Sequence, residues 1–307
     1  MEPIKDFDEF YDIKLIPYLH KLKVQKRLTL FWMSLMAILV FAAIPVSING
    51  LSDDASVFDK FLFVFTLVVL VVSIHQSVKN SDAFEEGFKT KVIGQIVSFL
   101  NPDLVYKSGV CVNSLDYKRS SLFRDNFYTY TGDDLISGTY KNINFKCSEL
   151  QVAKRKGEEI FSGLFFVAPL NTAFSGGTYI WRKDNVQLPV SIAEEAYRMM
   201  PMPDVVKVNF RNSSFEKYYS VYTTDINEAS SIITEERMQN ILNFSGQIRR
   251  NVTLSFVGGI CHVAIPFEDP LFESFGNNPG NKEEVKEYFF TVLLILSIIN
   301  QLKLYNI

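Results

Sequence analysis

The chain has 307 residues, with 31 Lys and Arg against 34 Asp and Glu and a formal net charge of -3, so no excess of positive charge points to nucleic acid. Its three cysteines, Cys111, Cys147 and Cys261, are widely separated and odd in number, which argues against a disulfide framework and suits free thiols in a reducing compartment.

Residues 1–27 form a first, cytosolic amphipathic segment in which Phe7, Phe10, Ile13, Leu15, Leu19 and Leu22 alternate with charges. Pro17 is expected to divide any helix there into two pieces. The segment either lies on the inner membrane face or packs against the soluble part of the chain.

Residues 28–78 read as a two-span hairpin. Leu28 to Ile48, LTLFWMSLMAILVFAAIPVSI, carries no charged side chain, and a helix of that length covers a hydrocarbon core of about 30 Å. Phe61 to Val78, FLFVFTLVVLVVSIHQSV, is shorter and carries His75 and Gln76 near its far end, yet neither run has the polar face of a soluble helix. The flanks set the orientation, since Lys and Arg stay on the cytosolic side. Lys14, Lys21, Lys23, Lys26 and Arg27 precede the first span and Lys79, Lys89 and Lys91 follow the second. The turn 49–60 has only Lys60, beside Asp53, Asp54 and Asp59, so it is expected outside and both termini in the cytoplasm.

Residues 79–307 then form a cytosolic domain without a Pro/Gly/Ser-rich linker. Phe84, Phe88, Val92, Ile96 and Phe99 recur at helical spacing, and Asn101-Pro102 ends that helix. DLISGTY and INFKCSELQV flank Lys141-Asn142 like a hairpin, KRKGEE (154–159) reads as the next turn, and IFSGLFFVA as a strand buried on both faces. GTYIW and VVKVNF are further strands. DINEASSIITEERMQNILNF (225–244) changes to helical spacing, and VTLSF and CHVAIPF surround the Gly258-Gly259 turn. The uncharged run from Tyr288 to Leu302 is too short for a third span, and a core helix capped by Asn281 with an acidic first turn is expected. The fold class is therefore α+β: an N-terminal transmembrane helical hairpin, then a β-rich cytosolic domain with peripheral helices and a C-terminal apolar helix.

Chemistry is thin. Asp133 and Asp134 could pair their carboxylates so that one pKa is raised, but TGDD also reads as a turn entering a strand. Cys261 and His262 are adjacent, so on a strand they face opposite ways and cannot share a metal. Ser120 and Ser121 have no nearby histidine and sit at a turn or helix start, while SGG at 175–177 lacks the Lys-Ser/Thr of a phosphate loop. The cluster KRK at 154–156 touches anionic headgroups or forms an ordinary solvated hairpin. No cofactor or metal is expected.

Two spans followed by SSLFRDNFYTYTGDDLISG, FSGLFFVAPLNTAFSGGTYI and FEKYYSVYTTDINEASSIITEERMQNIL resemble a bacterial membrane-protein family, domain of unknown function three-one-three-seven. The residues that carry the resemblance include Ser121, Phe123, Asp134, Gly138, Phe161, Gly163, Phe165, Phe174, Gly176 and Asp225. It implies a multi-pass protein of the cell inner membrane with a cytosolic domain, often encoded beside LemA-type membrane proteins, and it implies no activity. With an anchor and no complete catalytic constellation, the expected function is a non-enzymatic binding or scaffold module at the cytosolic membrane face. Its partners would be the lipid bilayer and another membrane protein or anionic lipid headgroups, and no nucleic acid. The alternative is a membrane-associated enzyme with a carboxylate site near Asp134.

Overall fold

The computed structural model describes residues 3–50, 56–123, 125–172, 174–183, 205–272 and 281–306, so the expected turn around Asp53 and Asp54 lies outside the described residues. Its contacts divide the chain into two compact units: Met1–Gln95 with Ser274–Glu287, and Ile96–Glu273 with Tyr288–Ile307.

In the first unit, helix α1 (Pro3–Phe10) runs through a π-helical turn (Tyr11–Leu15) into α2 (Ile16–Gly50). Pro17 does not divide this helix. It falls in the first turn after the π segment, where the Ile16 N–H reaches back five residues to the Tyr11 carbonyl and the widened turn accommodates the proline ring. Phe7, Phe10, Tyr11, Leu15, Leu19 and Leu22 are buried, while Ile13 is exposed. Helix α3 (Val57–Phe88) packs along α2 and continues through a second π turn (Lys89–Ile93) into α4 (Gly94–Leu100).

Both long helices are apolar and long enough to cross a membrane. Their outward surface carries Phe31, Ile38, Phe41, Phe61, Phe65, Val68 and Val71, a display too large and continuous for an ordinary water-facing helix pair. Thr66 and Ser73 are the buried hydroxyls of α3, and each donates to the carbonyl four residues back, Leu62 and Val69, at 2.8 Å.

The second unit is built on an antiparallel sheet. Strands β1 (Leu104–Lys107), β2 (Thr129–Tyr140), β3 (Ile143–Ala153) and β4 (Glu159–Pro169) form a meander, with the short helix α5 (Ser114–Arg119) between the first two. Strands β5 (Gly177–Arg182), β6 (Val206–Val208) and β7 (Tyr219–Thr223) make the other flank, and the hairpin β8 (Thr253–Val257) and β9 (Ile260–Pro266) joins them, giving the order β1-β2-β3-β4-β9-β8-β5-β7-β6. The register aligns Tyr106, Ile136, Cys147, Phe166, Val263, Leu254, Ile180, Val221 and Val208 in one row across all nine strands. Cross-strand partners share a face, so this row is a continuous apolar seam. The next row, on the opposite face, contains Lys146, Val167, His262, Ser255, Tyr179 and Tyr222, which separates Cys261 from His262 as expected for adjacent strand residues.

The helices of this unit start at side-chain caps. Asn113 begins α5, and Asn212 begins α6 (Ser213–Tyr218). Asp225 begins α7 (Ile226–Ile232), and Thr234 begins α8 (Glu235–Ile248). The segment 225–244 reads as one helix in sequence but forms two, because the Thr234 hydroxyl accepts from the Arg237 N–H and the β-branched run Ile232-Ile233-Thr234 favours leaving the helix. Helix α9 (Lys282–Gln301) opens with Asn281 accepting from the Glu284 N–H at 2.9 Å, and its residues Phe289, Val292, Ile295, Ile298 and Ile299 are buried, as a core helix requires.

Candidate functional site

The residues singled out in the sequence occupy three separate places. Asp134 is not in a turn entering a strand: it lies inside β2, at a bulge between Asp133 and Ile136, with φ 61° and 2% exposure. The bulge re-aims its side chain so that the Tyr106 hydroxyl of the neighbouring strand donates to Oδ1. Burial first, and the Asp134 carboxylate next, push the Tyr106 phenol far above its ordinary range, so it stays a neutral donor. Asp133 turns elsewhere, accepting from the Gly109 N–H at 2.5 Å and the Asp134 N–H at 2.7 Å. The two carboxylates thus serve different partners. Gly138, farther along β2 with φ 148°, lies where a Cβ would overlap the Asp103 carbonyl oxygen.

The second place is an aromatic cluster. Tyr117 of α5 stacks on Phe123 at 5.3 Å between ring centres and also meets Phe165, while Phe123 meets Phe161 at 4.8 Å. Ser121, with φ 52°, ends the turn after α5 rather than starting a helix. The neighbouring Ser120 hydroxyl is spent on the Tyr117 carbonyl at 2.6 Å and on the Leu122 N–H. Gly163 sits in β4 beneath this cluster with φ 143°, and a Cβ there would overlap the Ile265 carbonyl oxygen of the adjoining strand. Close approach of two strand backbones is the reason for glycine. His262 faces the same side, fully buried near Phe165, with Nδ1 3.3 Å from the Ser255 hydroxyl and Nε2 without a partner among the described residues. Burial lowers it to about 4 from the ordinary 6.5.

The third place is a clasp between two loops. Asp225 accepts from the N–H groups of Asn227 and Glu228, which starts α7 and aims Glu228 backward. The Glu228 carboxylate then accepts from Ser175 N–H at 3.0 Å and Gly176 N–H at 2.9 Å, and Thr224 accepts from Gly177 N–H. The SGG stretch is therefore an anion-accepting run of amides, filled by the chain's own carboxylate. Phe174 packs beside it against Phe256.

A feature missed in sequence lies at the start of α8. Thr172, Ser231, Ile232, Thr234, Glu236, Arg237, Asn240 and Lys303 line a cavity of about 330 Å³. Arg237 is 7% exposed, and it donates through Nη1 to the Ile232 carbonyl at the end of α7 and through Nε to the Leu302 carbonyl, 3.3 Å away, just past α9. One guanidinium thus serves the negative ends of two helices. Among the described residues no carboxylate forms an ion pair with it; Glu236 instead pairs with Lys303 at the rim. The nearby Cys261 thiol is pushed by burial to about 12, with Arg237 pulling it the other way. The sequence did carry a signal: an arginine in the first turn of a helix opposes the helix dipole, a local conflict that calls for a tertiary reason.

Residues 159–304 match the family described as "Protein of unknown function (DUF3137)", which agrees with the resemblance carried by the sequence. The match takes in Phe161, Gly163, Phe165, Phe174, Gly176, Asp225 and Arg237, and starts after Ser121, Phe123, Asp134 and Gly138. No curated protein matches the chain. Among solved structures, the crystal structure of the mycobacterial trehalose monomycolate transport factor A, TtfA, aligns with a TM-score of 0.33 and 8% identity, over 68% of this chain and 96% of that one.

Proposed function

We propose that this chain is a multi-pass protein of the cell inner membrane that works as a non-enzymatic binding module, its sheet domain on the cytosolic side. The observation that carries this reading is the pair α2 and α3, apolar over lengths sufficient to cross a bilayer and facing outward with Phe, Ile and Val. Lipid solvates such a surface, and each helix satisfies its own amides there. The excess of Lys and Arg before residue 28 and after residue 78 supports cytosolic flanks and an external turn at 49–60. Binding is favoured over catalysis because Asp134 is buried and engaged by Tyr106 in holding a strand bulge. Tethering raises the local concentration of a membrane partner, so a weak contact suffices.

Thiol labelling in intact cells tests the topology. Only Cys111 need be replaced beforehand, since Cys147 and Cys261 are buried. A cysteine introduced at Ser56 reacts with an impermeant reagent, and one at the exposed Ser213 reacts only after lysis. Labelling at Ser213 without lysis, with Ser56 silent, reverses the orientation.

A further inference from the structure

We propose that the cavity at the start of α8 binds a phosphate group, held by Arg237 and Lys303. The proposal rests on reading the domain as a binding module and supplies its ligand class.

Arg237 is nearly buried, and two of its nitrogens are fixed by the Ile232 and Leu302 carbonyls. Nη2 has no acceptor among the described residues, yet it is not sealed from solvent. A buried cation hydrogen-bonded only to carbonyl oxygens, with the Glu236 carboxylate acting on it through space but not as an ion-pair partner, favours a negative partner, and a guanidinium held rigid by its other nitrogens loses little freedom on meeting one. The surroundings suit an oxyanion with several acceptor oxygens. Thr172 and Asn240 line the cavity with side-chain polar groups that have no partner among the described residues. The Thr234 cap opens α8, whose positive end adds to the attraction. Lys303 stands at the rim, half-exposed and occupied by Glu236.

That last pair makes the proposal specific. The Glu236 carboxylate holds the ammonium that a phosphate would need, so it acts as an internal competitor. A dianionic phosphate, with three oxygens for Lys303, Arg237 and Asn240, displaces it better than a carboxylate does. The volume of about 330 Å³ leaves room for a phosphate together with a small organic group such as glycerol. That chemistry belongs equally to a soluble phosphomonoester and to the phosphomonoester headgroup of a phosphatidate.

The test uses the full chain in dodecyl maltoside without phosphate, at constant ionic strength set with sodium chloride. Inorganic phosphate, glycerol 3-phosphate and the short-chain lipid dioctanoyl phosphatidic acid, each a phosphate or phosphomonoester, are titrated by calorimetry, with thermal unfolding alongside. Phosphate is expected to bind and to raise the unfolding temperature. Lys303→Gln weakens binding about tenfold, and Glu236→Gln, which frees Lys303, tightens it several-fold. Both residues lie at the rim, so both variants should unfold like the parent without ligand; if either fails to fold, the other still reads the competition. Tighter binding of glycerol 3-phosphate assigns a soluble ligand, and tighter binding of the lipid assigns a headgroup. A chloride control that matches phosphate, or a phosphate affinity unchanged by both substitutions, overturns the proposal. Membrane insertion is read separately by thiol labelling, so either conclusion can fail without the other.

Discussion

At the scale of single residues, His262 has the clearest consequence. It lies in the row on the face opposite the apolar seam, wholly buried, with one ring nitrogen facing Ser255 and the other without a partner among the described residues. Burial disfavours the charged ring, with Asp116 opposing this only in part, and the folded pKa falls to about 4. The sign follows: the unfolded chain takes up a proton near 6.5 and the folded chain does not, so this residue's contribution is complete above pH 6.5 and is lost as pH falls toward 4. One differential proton gives a slope of about 1.4 kcal/mol per pH unit within that window. Urea unfolding of wild type and His262→Gln at pH 5 and 7.5 should show the wild type losing stability faster on acidification by up to about 2 kcal/mol. Parallel losses would mean that the ring is protonated in the fold. The sequence placed His262 and Cys261 on opposite faces correctly, since strand alternation needs only the strand. It missed the work of Asp134, because a bulge that turns a carboxylate toward Tyr106, on another strand, leaves no local pattern.

At the scale of elements, hairpins and caps were legible because their chemistry is local. The Lys141-Asn142 turn joins β2 to β3 with both residues at positive φ, 49° and 64°, the twist-matched form of a two-residue hairpin. Neither residue is glycine, so the turn carries avoidable strain. Replacing Asn142 by Gly should stabilise the protein by roughly 0.5–1 kcal/mol, and chemical denaturation with an unchanged m-value would register it as a higher midpoint. Destabilisation would show that the Asn142 side chain has a role beyond the turn. What periodicity misjudged was continuity. Apolar spacing carried one helix through 225–244 where Thr234 starts a new one, and a single proline suggested a break at Pro17 where a π turn keeps the helix whole. Both errors have one cause: a cap or a widened turn changes the helix without altering which residues are apolar. Arg237 belongs here too, since its place in the first turn of α8 makes sense only when the ends of α7 and α9 arrive beside it.

At the scale of the whole molecule, the order of the sheet departs from the order of the chain. The hairpin β8-β9 comes after the other seven strands yet sits between the meander β1-β4 and the flank β5-β7-β6, so neither half is joined until residues 253–266 are in place. The apolar seam through Phe166, Val263, Leu254 and Ile180 runs across that junction. Such late, long-range pairing makes the second unit fold as one body, closed by the buried end of α9. The division of contacts near residue 95 sets where it can be cut. A chain beginning at Ser81 keeps Phe88, Val92 and Ile93, which are buried in the first unit, without the helix α2 that packs on their turn. A chain beginning at Ile96 leaves that apolar turn behind. The expectation is that residues 96–307 are soluble without detergent and unfold cooperatively, whereas residues 81–307 associate through the exposed turn. Removing residues 288–307 from the shorter fragment should expose the sheet face and abolish cooperative unfolding, because Phe289, Val292, Ile295, Ile298 and Ile299 are all buried. Size-exclusion chromatography with thermal unfolding of the three fragments decides the matter. A cooperative, monomeric fragment lacking 288–307 would show that α9 is dispensable to the core, and the helix would then have to be assigned another role.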